Sequence, residues 1–94
     1  MISEPFTPGQ IVYSKSGRDK GKAFIVVAAE TEYAYLADGD ARTLAKPKKK
    51  KIKHIQKTNT IDFNIKEKLL NKAYLNDSDL RKALKNVREA NKDV

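Results

Sequence analysis

Seven consecutive residues, Ala23–Ala29 (AFIVVAA), constrain this chain more than any other feature. They are all apolar, three of them β-branched, with no polar residue in alternation. A run of that length and kind predicts a strand buried on both faces. It is far too short for a membrane span, which takes roughly 20 residues.

Shorter β-rich stretches surround it. Residues 11–15 place Ile11 and Tyr13 on one face and Val12 on the other. Residues 33–37 place Tyr33 and Tyr35 together. Asp38-Gly39-Asp40 predicts a hairpin turn, because Gly takes a positive φ at no steric cost, and residues 41–44 are expected to return as a strand. A last strand is expected at residues 51–55, although Ile52 and Ile55 do not alternate. Several short strands within about 50 residues predict a small barrel rather than an open sheet. Closing a sheet removes the edges that invite aggregation.

The second half changes period. Asn64 with Glu67 three residues on predicts a capping box, with Ile65, Leu69 and Ala73 on one helical face. Asn76-Asp77-Ser78-Asp79 offers several N-caps. Leu80, Ala83, Leu84 and Val87 then form the stripe of an amphipathic helix. The tail Asn91-Lys92-Asp93-Val94 is expected to fray. The expected fold is mainly β with two short C-terminal α-helices, divided into a barrel with its basic segment (1–57) and a helical hairpin appendage (58–94).

A chain of 94 residues buries only roughly 60% of the surface it exposes when unfolded, which disfavours a deep, water-excluding active site. It has no Cys, so disulfides and thiolate metal sites are excluded, and His54 is its one histidine. A catalytic His needs an oriented partner, and no Ser-His-Asp or Cys-His set stands out. No catalytic residue, metal or cofactor is expected, and the chain is read as no enzyme. Met1-Ile2-Ser3-Glu4-Pro5 has neither a basic start nor an apolar stretch, so no secretory signal is expected. A cytoplasmic location and no membrane partner follow as expectations.

The net charge is +8, which points to a polyanion. The excess is uneven. Residues 1–58 hold 12 Lys or Arg against 6 Asp or Glu, and residues 59–94 hold 8 against 6. Residues 46–57 carry seven lysines and no acid: Lys46, Lys48, Lys49, Lys50, Lys51, Lys53 and Lys57. Residues 14–22 add Lys15, Arg18, Lys20 and Lys22 against Asp19 alone. Lysines on phosphates release condensed counterions, which drives binding without reading sequence. The bland alternative for the lysine run is a solvated linker.

The segment from Gly9 to Lys22 is a strand followed by a basic loop with Gly17 and Gly21, leading into the buried run. It is no nucleotide-binding P-loop, since no Gly-Lys-Ser/Thr opens a helix. It resembles the KOW motif of ribosomal proteins and transcription elongation factors, matching from Gly9 through Val12, Gly17 and Gly21 to Val26. Phe24 departs from the general pattern, where a second glycine is frequent. That departure is similar to the KOW-containing large-subunit ribosomal proteins of archaeal and eukaryotic type. Tyr35-Leu36-Ala37-Asp38-Gly39 and the run from Lys46 to Ile55 resemble their bacterial relatives, described as KOW-domain RNA-binding proteins. The resemblance covers residues 9–56. It implies an SH3-like barrel that contacts structured RNA, with ribosomal RNA the favoured partner. It places RNA contacts at Lys15, Ser16, Gly17, Arg18, Lys20, Gly21 and Lys22, and at Lys46, Lys48, Lys49, Lys50, Lys51 and Lys53.

Other features have plainer readings. Tyr13, Tyr33 and Tyr35 could stack on bases, but packing in the core or barrel wall is the simpler expectation. Asp38 and Asp40 read as turn residues. The helix stripe is expected to pack on the Ile65–Leu69 face or on the barrel. Its sharper alternative is a groove for a ribosome-associated protein, with apolar surface left by Leu70, Tyr74 and Leu75. The rival to RNA binding is therefore a protein-interaction adaptor, its charge serving solubility or steering.

Overall fold

The computed structural model describes residues 6–92, with side-chain environments through Arg88. The sheet has five antiparallel strands: β1 (Gln10–Ser14), β2 (Ala23–Ala29), β3 (Tyr33–Ala37), β4 (Lys48–Lys51) and β5 (Ile55–Ile61). Their spatial order is β4-β3-β2-β1-β5. Two helices follow, α1 (Phe63–Leu70) and α2 (Asp77–Lys92). The fold is thus mainly β with C-terminal helices, as the change of period predicts.

The buried run forms β2, and it is apolar throughout because its residues feed two cores. Ala23 and Ile25 join Ile11, Ala37, Ile65, Leu80, Ala83 and Leu84 between sheet and helices. Phe24 and Val26 join Val12, Ala34, Leu36, Ile55 and Phe6 on the opposite face. Tyr13 packs on the helix side beside Ile11, as expected. The β2–β3 register shifts between Val26 and Ala28. An extra residue flips the faces that follow, which is how Ala29 comes to pack with Phe24 and Val26 rather than with Ile25.

The lysine run is a strand, not a linker. Lys48–Lys51 pairs with β3 in the register Tyr33↔Lys51, Ala34↔Lys50, Tyr35↔Lys49 and Leu36↔Lys48. It therefore displaces the return strand expected at residues 41–44. The Asp38 turn does form: its Oδ1 accepts from the backbone N–H of Asp40 and Arg42, both at 2.9 Å. The chain then leaves the sheet. The Leu44 side chain packs on the helix-side core, and its N–H donates to Asp77 Oδ1 at 2.8 Å instead of to a ladder. Arg81 Nη1 donates to the Gly39 carbonyl at 2.6 Å, clamping the turn to α2. Gly39 has φ +78°, and a Cβ there would collide with the Asp77 carbonyl. As an edge strand of lysines, β4 repels a second β-edge.

The strand expected at residues 51–55 is instead a 3₁₀ turn, Ile52–His54, running into β5. Ile52 and Ile55 are three apart, which is one 3₁₀ turn, and both pack on the same core. Helix α1 is capped by Asp62, whose Oδ1 accepts from Ile65 N–H at 3.0 Å, not by the expected Asn64–Glu67 box. The helix stops at Leu70 because Lys72 takes φ 54°. The Ala73 and Lys72 N–H groups then bond back to Lys68 and Leu69 carbonyls, a Schellman closure. Ala73 is therefore exposed, off the face it was expected to share with Ile65. The capping box belongs to α2, where Asn76 and Asp79 exchange side-chain to backbone bonds at 3.0 and 3.1 Å. The stripe Leu80, Ala83, Leu84 and Val87 packs on the sheet as expected. Asn91 and Lys92 belong to the helix, while Asp93, Val94 and the first five residues lie outside the described part. Among the described residues no helix is long and apolar enough to cross a membrane.

Candidate nucleic-acid interface

The fold gathers three basic segments at one end of the sheet. These are the β1–β2 loop, strand β4 and the 3₁₀ turn before β5. Strand pairing sets Ser14 opposite Ile55, and Lys15 N–H donates to the His54 carbonyl at 2.8 Å. Across the opening, Lys48 Nζ reaches Asp19 Oδ2 at 3.2 Å and Lys50 Nζ donates to the Ser16 carbonyl at 3.2 Å. Two segments that are far apart in sequence thus become one surface.

The period of two along β4 divides its lysines. Lys48 and Lys50 point toward the loop and are spent on it, Lys50 being buried. Lys49 and Lys51 point the other way, beside Tyr33 and Tyr35. Lys49 Nζ lies 4.5 Å from the Tyr33 ring centroid and 6.0 Å from that of Tyr35. Neither tyrosine belongs to a buried cluster. The Tyr35 hydroxyl donates to Glu30 Oε1 at 2.7 Å, and this bond to a carboxylate pushes the phenol above its usual range.

Asp19 organises the loop. Its side chain is 12% exposed and faces Lys48 at 3.2 Å, with Arg42 and Lys22 each at 3.8 Å. The Lys48 hydrogen bond holds the carboxyl below its ordinary value of 3.8; burial opposes this, and the charges of Lys48, Arg42 and Lys22 reinforce it. A lowered folded value means the unfolded chain takes up the proton first. The contribution to stability is therefore full above the ordinary value and is lost as pH falls through it and then through the folded value. Acidification below about pH 4 should lower the urea midpoint. Asp19→Asn should flatten that part of the profile, as read by denaturation across pH.

The remaining cations of the end face solvent. Lys15, Arg18, Lys20, Lys51 and Lys53 are exposed, and so is Lys46 in the segment that leads into β4. Among the described residues none of these six is in a salt bridge. Gly17 and Gly21 both have positive φ, and nothing lies within 4 Å of where a Cβ would stand. Their role in this chain is the backbone shape of the loop. The Gly21 N–H closes it on the Ser14 carbonyl at 2.9 Å. Lys57 lies on β5, paired across from Val12. Half-buried His54 contributes its carbonyl, and among the described residues no three of His, Asp and Glu are grouped as a metal site requires.

The sequence alone gives no hint of Arg42 in this cluster, since it stands 23 positions from Asp19. Nor does it separate Lys48 and Lys50 from Lys49 and Lys51, because that needs the run to be a strand. The division is measurable. Lys50→Ala should cost about 1–3 kcal/mol, by loss of a buried, charge-assisted hydrogen bond. Lys51→Ala should stay within about 0.5 kcal/mol, as surface changes do; urea denaturation compares the two.

What remains is a surface of exposed ammonium and guanidinium groups suited to binding phosphates. No protein-family model matches the chain, and no curated protein is significantly similar to it.

Proposed function

We propose that this chain is a non-enzymatic RNA-binding module that grips phosphates, with ribosomal RNA the favoured partner and a ribosome-associated or assembly role in the cytoplasm. The observation that carries this reading is the convergence of the β1–β2 loop, β4 and the 3₁₀ turn, each with exposed cations that lack a carboxylate partner among the described residues. Like charges held this close on a fixed frame repel one another, and phosphates relieve that repulsion.

An SH3-like barrel of the KOW type is the finer fold proposed. The two edge strands, β4 and β5, are joined by a single 3₁₀ turn. Lys48 and Lys50 reach from one edge to the β1–β2 loop. Val12, Phe24, Val26 and Leu36 are buried in the cluster that, among the described residues, takes none from α1 or α2. All three features favour a sheet curled on itself.

The adaptor reading keeps one observation. Phe63, Leu70 and Tyr74 are 68%, 60% and 79% exposed, which is apolar surface on and after α1. Titration of ribosomal RNA with the intact chain decides between the readings. Saturable binding that weakens with salt supports the RNA module. Absence of binding, with a protein partner retained after ribonuclease, supports the adaptor.

A further inference from the structure

A cleft of about 290 Å³ opens beside the basic end, lined by Glu32, Lys51, Ile52 and Lys53. This is near the lower end of small-ligand sites, about 300–1,000 Å³, and gives room for one ring system the size of a nucleobase. Its walls are tied together. Ile52 N–H donates to the Glu32 carbonyl at 2.9 Å, Lys51 pairs with Tyr33 in the sheet, and Ile52 is anchored on the core.

Glu32 is the unexplained member. Other acids of the sheet half have duties: Asp19 neutralises three cations, Glu30 accepts from Tyr35, and Asp38 holds its turn. The Glu32 carboxylate makes no hydrogen bond or ion pair among the described residues. On a surface that only bound phosphate, such a carboxylate would oppose its ligand. It is useful if it accepts hydrogen bonds from a base. Unpaired bases are read on their Watson–Crick edges, and guanine alone presents two adjacent N–H donors there, matching the two oxygens of a carboxylate. Uracil sets its one donor between two acceptors. Adenine and cytosine each place an acceptor nitrogen beside the amino group.

We propose that this cleft receives one unpaired guanine of a bound RNA strand, with Glu32 accepting from N1–H and N2–H while Lys51 and Lys53 hold the flanking phosphates. The Ile52 side chain supplies an apolar wall for the base. The proposal rests on the RNA-binding reading and adds a base preference that phosphate contacts cannot give.

The test is fluorescence anisotropy of the full chain at low salt. Its probes are a short oligouridine with one central guanosine and the same strand with adenosine, cytidine or uridine in that place. The guanosine strand should bind about tenfold more tightly, within the roughly 5- to 150-fold that a good bidentate base contact is worth. Glu32→Gln, at an exposed turn position, should reduce the preference to about twofold or less, since one accepting oxygen is lost. It should also hold or raise affinity for the all-uridine strand, because a repulsive charge is gone. Equal binding of the four strands, or a preference that survives Glu32→Gln, overturns the subsite and leaves phosphate binding standing. Binding of ribosomal RNA but of none of the four strands overturns it too. No binding of any RNA removes both readings.

Discussion

Leu84→Ala is expected to lower the stability of the chain by about 2–5 kcal/mol, the cost of emptying a well-packed leucine site. Leu84 is fully buried, in a core built from β1, β2, β3, α1 and α2 together. The loss combines the transfer energy of the removed methyl groups with a cavity that rigid strands cannot fill. Urea denaturation read by far-ultraviolet circular dichroism, which sees strands and helix together, should show a lower midpoint with one cooperative transition. A helix that merely trailed from the sheet would melt on its own, and the sheet would keep its stability. Asp77 and Arg81 add polar fastening at the same junction. The effect on RNA affinity at temperatures where the variant is folded should be small, since Leu84 lies on the helix side.

The second large effect is on binding. Removing Lys15, Arg18, Lys20 and Lys53 together is expected to weaken ribosomal RNA binding on the order of 100-fold at 0.1 M salt. A slope of about 0.7 per phosphate contact corresponds to roughly fivefold per contact over a decade of salt, so the estimate allows for one of the four contacts contributing little. The four side chains are exposed, and none takes part in a salt bridge among the described residues. The variant should therefore keep its denaturation midpoint. Lys48 and Lys50 are deliberately left in place, because their loss would loosen the loop and mix a folding defect with a binding defect. Filter binding against the unaltered chain reads the difference.

The parts of the fold that were legible in the sequence are those where burial writes an apolar pattern. Ala23–Ala29 announces a strand with two covered faces, and Leu80, Ala83, Leu84 and Val87 announce a helix that lies on a core. The two edge strands write no such pattern. Lys48–Lys51 has low β propensity and is held by backbone pairing to β3, so composition presents it as a linker. β5 reads IQKTNTI and buries only Ile55, leaving one apolar contact as its signature. Caps were misplaced for a related reason: Asp62 and Asn64 are both acceptable N-caps, and only the geometry of Ile65 docking chooses between them.

The candidate site was legible in charge and illegible in assignment. Both basic segments stand out as text, and so does the lone acid Asp19. Which cations Asp19 takes depends on chain crossings that bring residues 22, 42 and 48 to one carboxylate. Alternation along a strand then turns Lys51 to solvent and commits Lys50 to the loop. Glu32 carries no signal in the sequence, because the cleft beside Ile52 exists only once the 3₁₀ turn bonds to the Glu32 carbonyl.

The most direct test of the account is the dependence of ribosomal RNA affinity on salt for the unaltered chain. With four or more phosphate contacts, log affinity should fall linearly with log salt, with a slope of about −3 or steeper. In the variant lacking Lys15, Arg18, Lys20 and Lys53 the slope should flatten by about 2–3. A flat response in the unaltered chain, or an equal slope in the variant, would contradict the claim that this basic end grips phosphate.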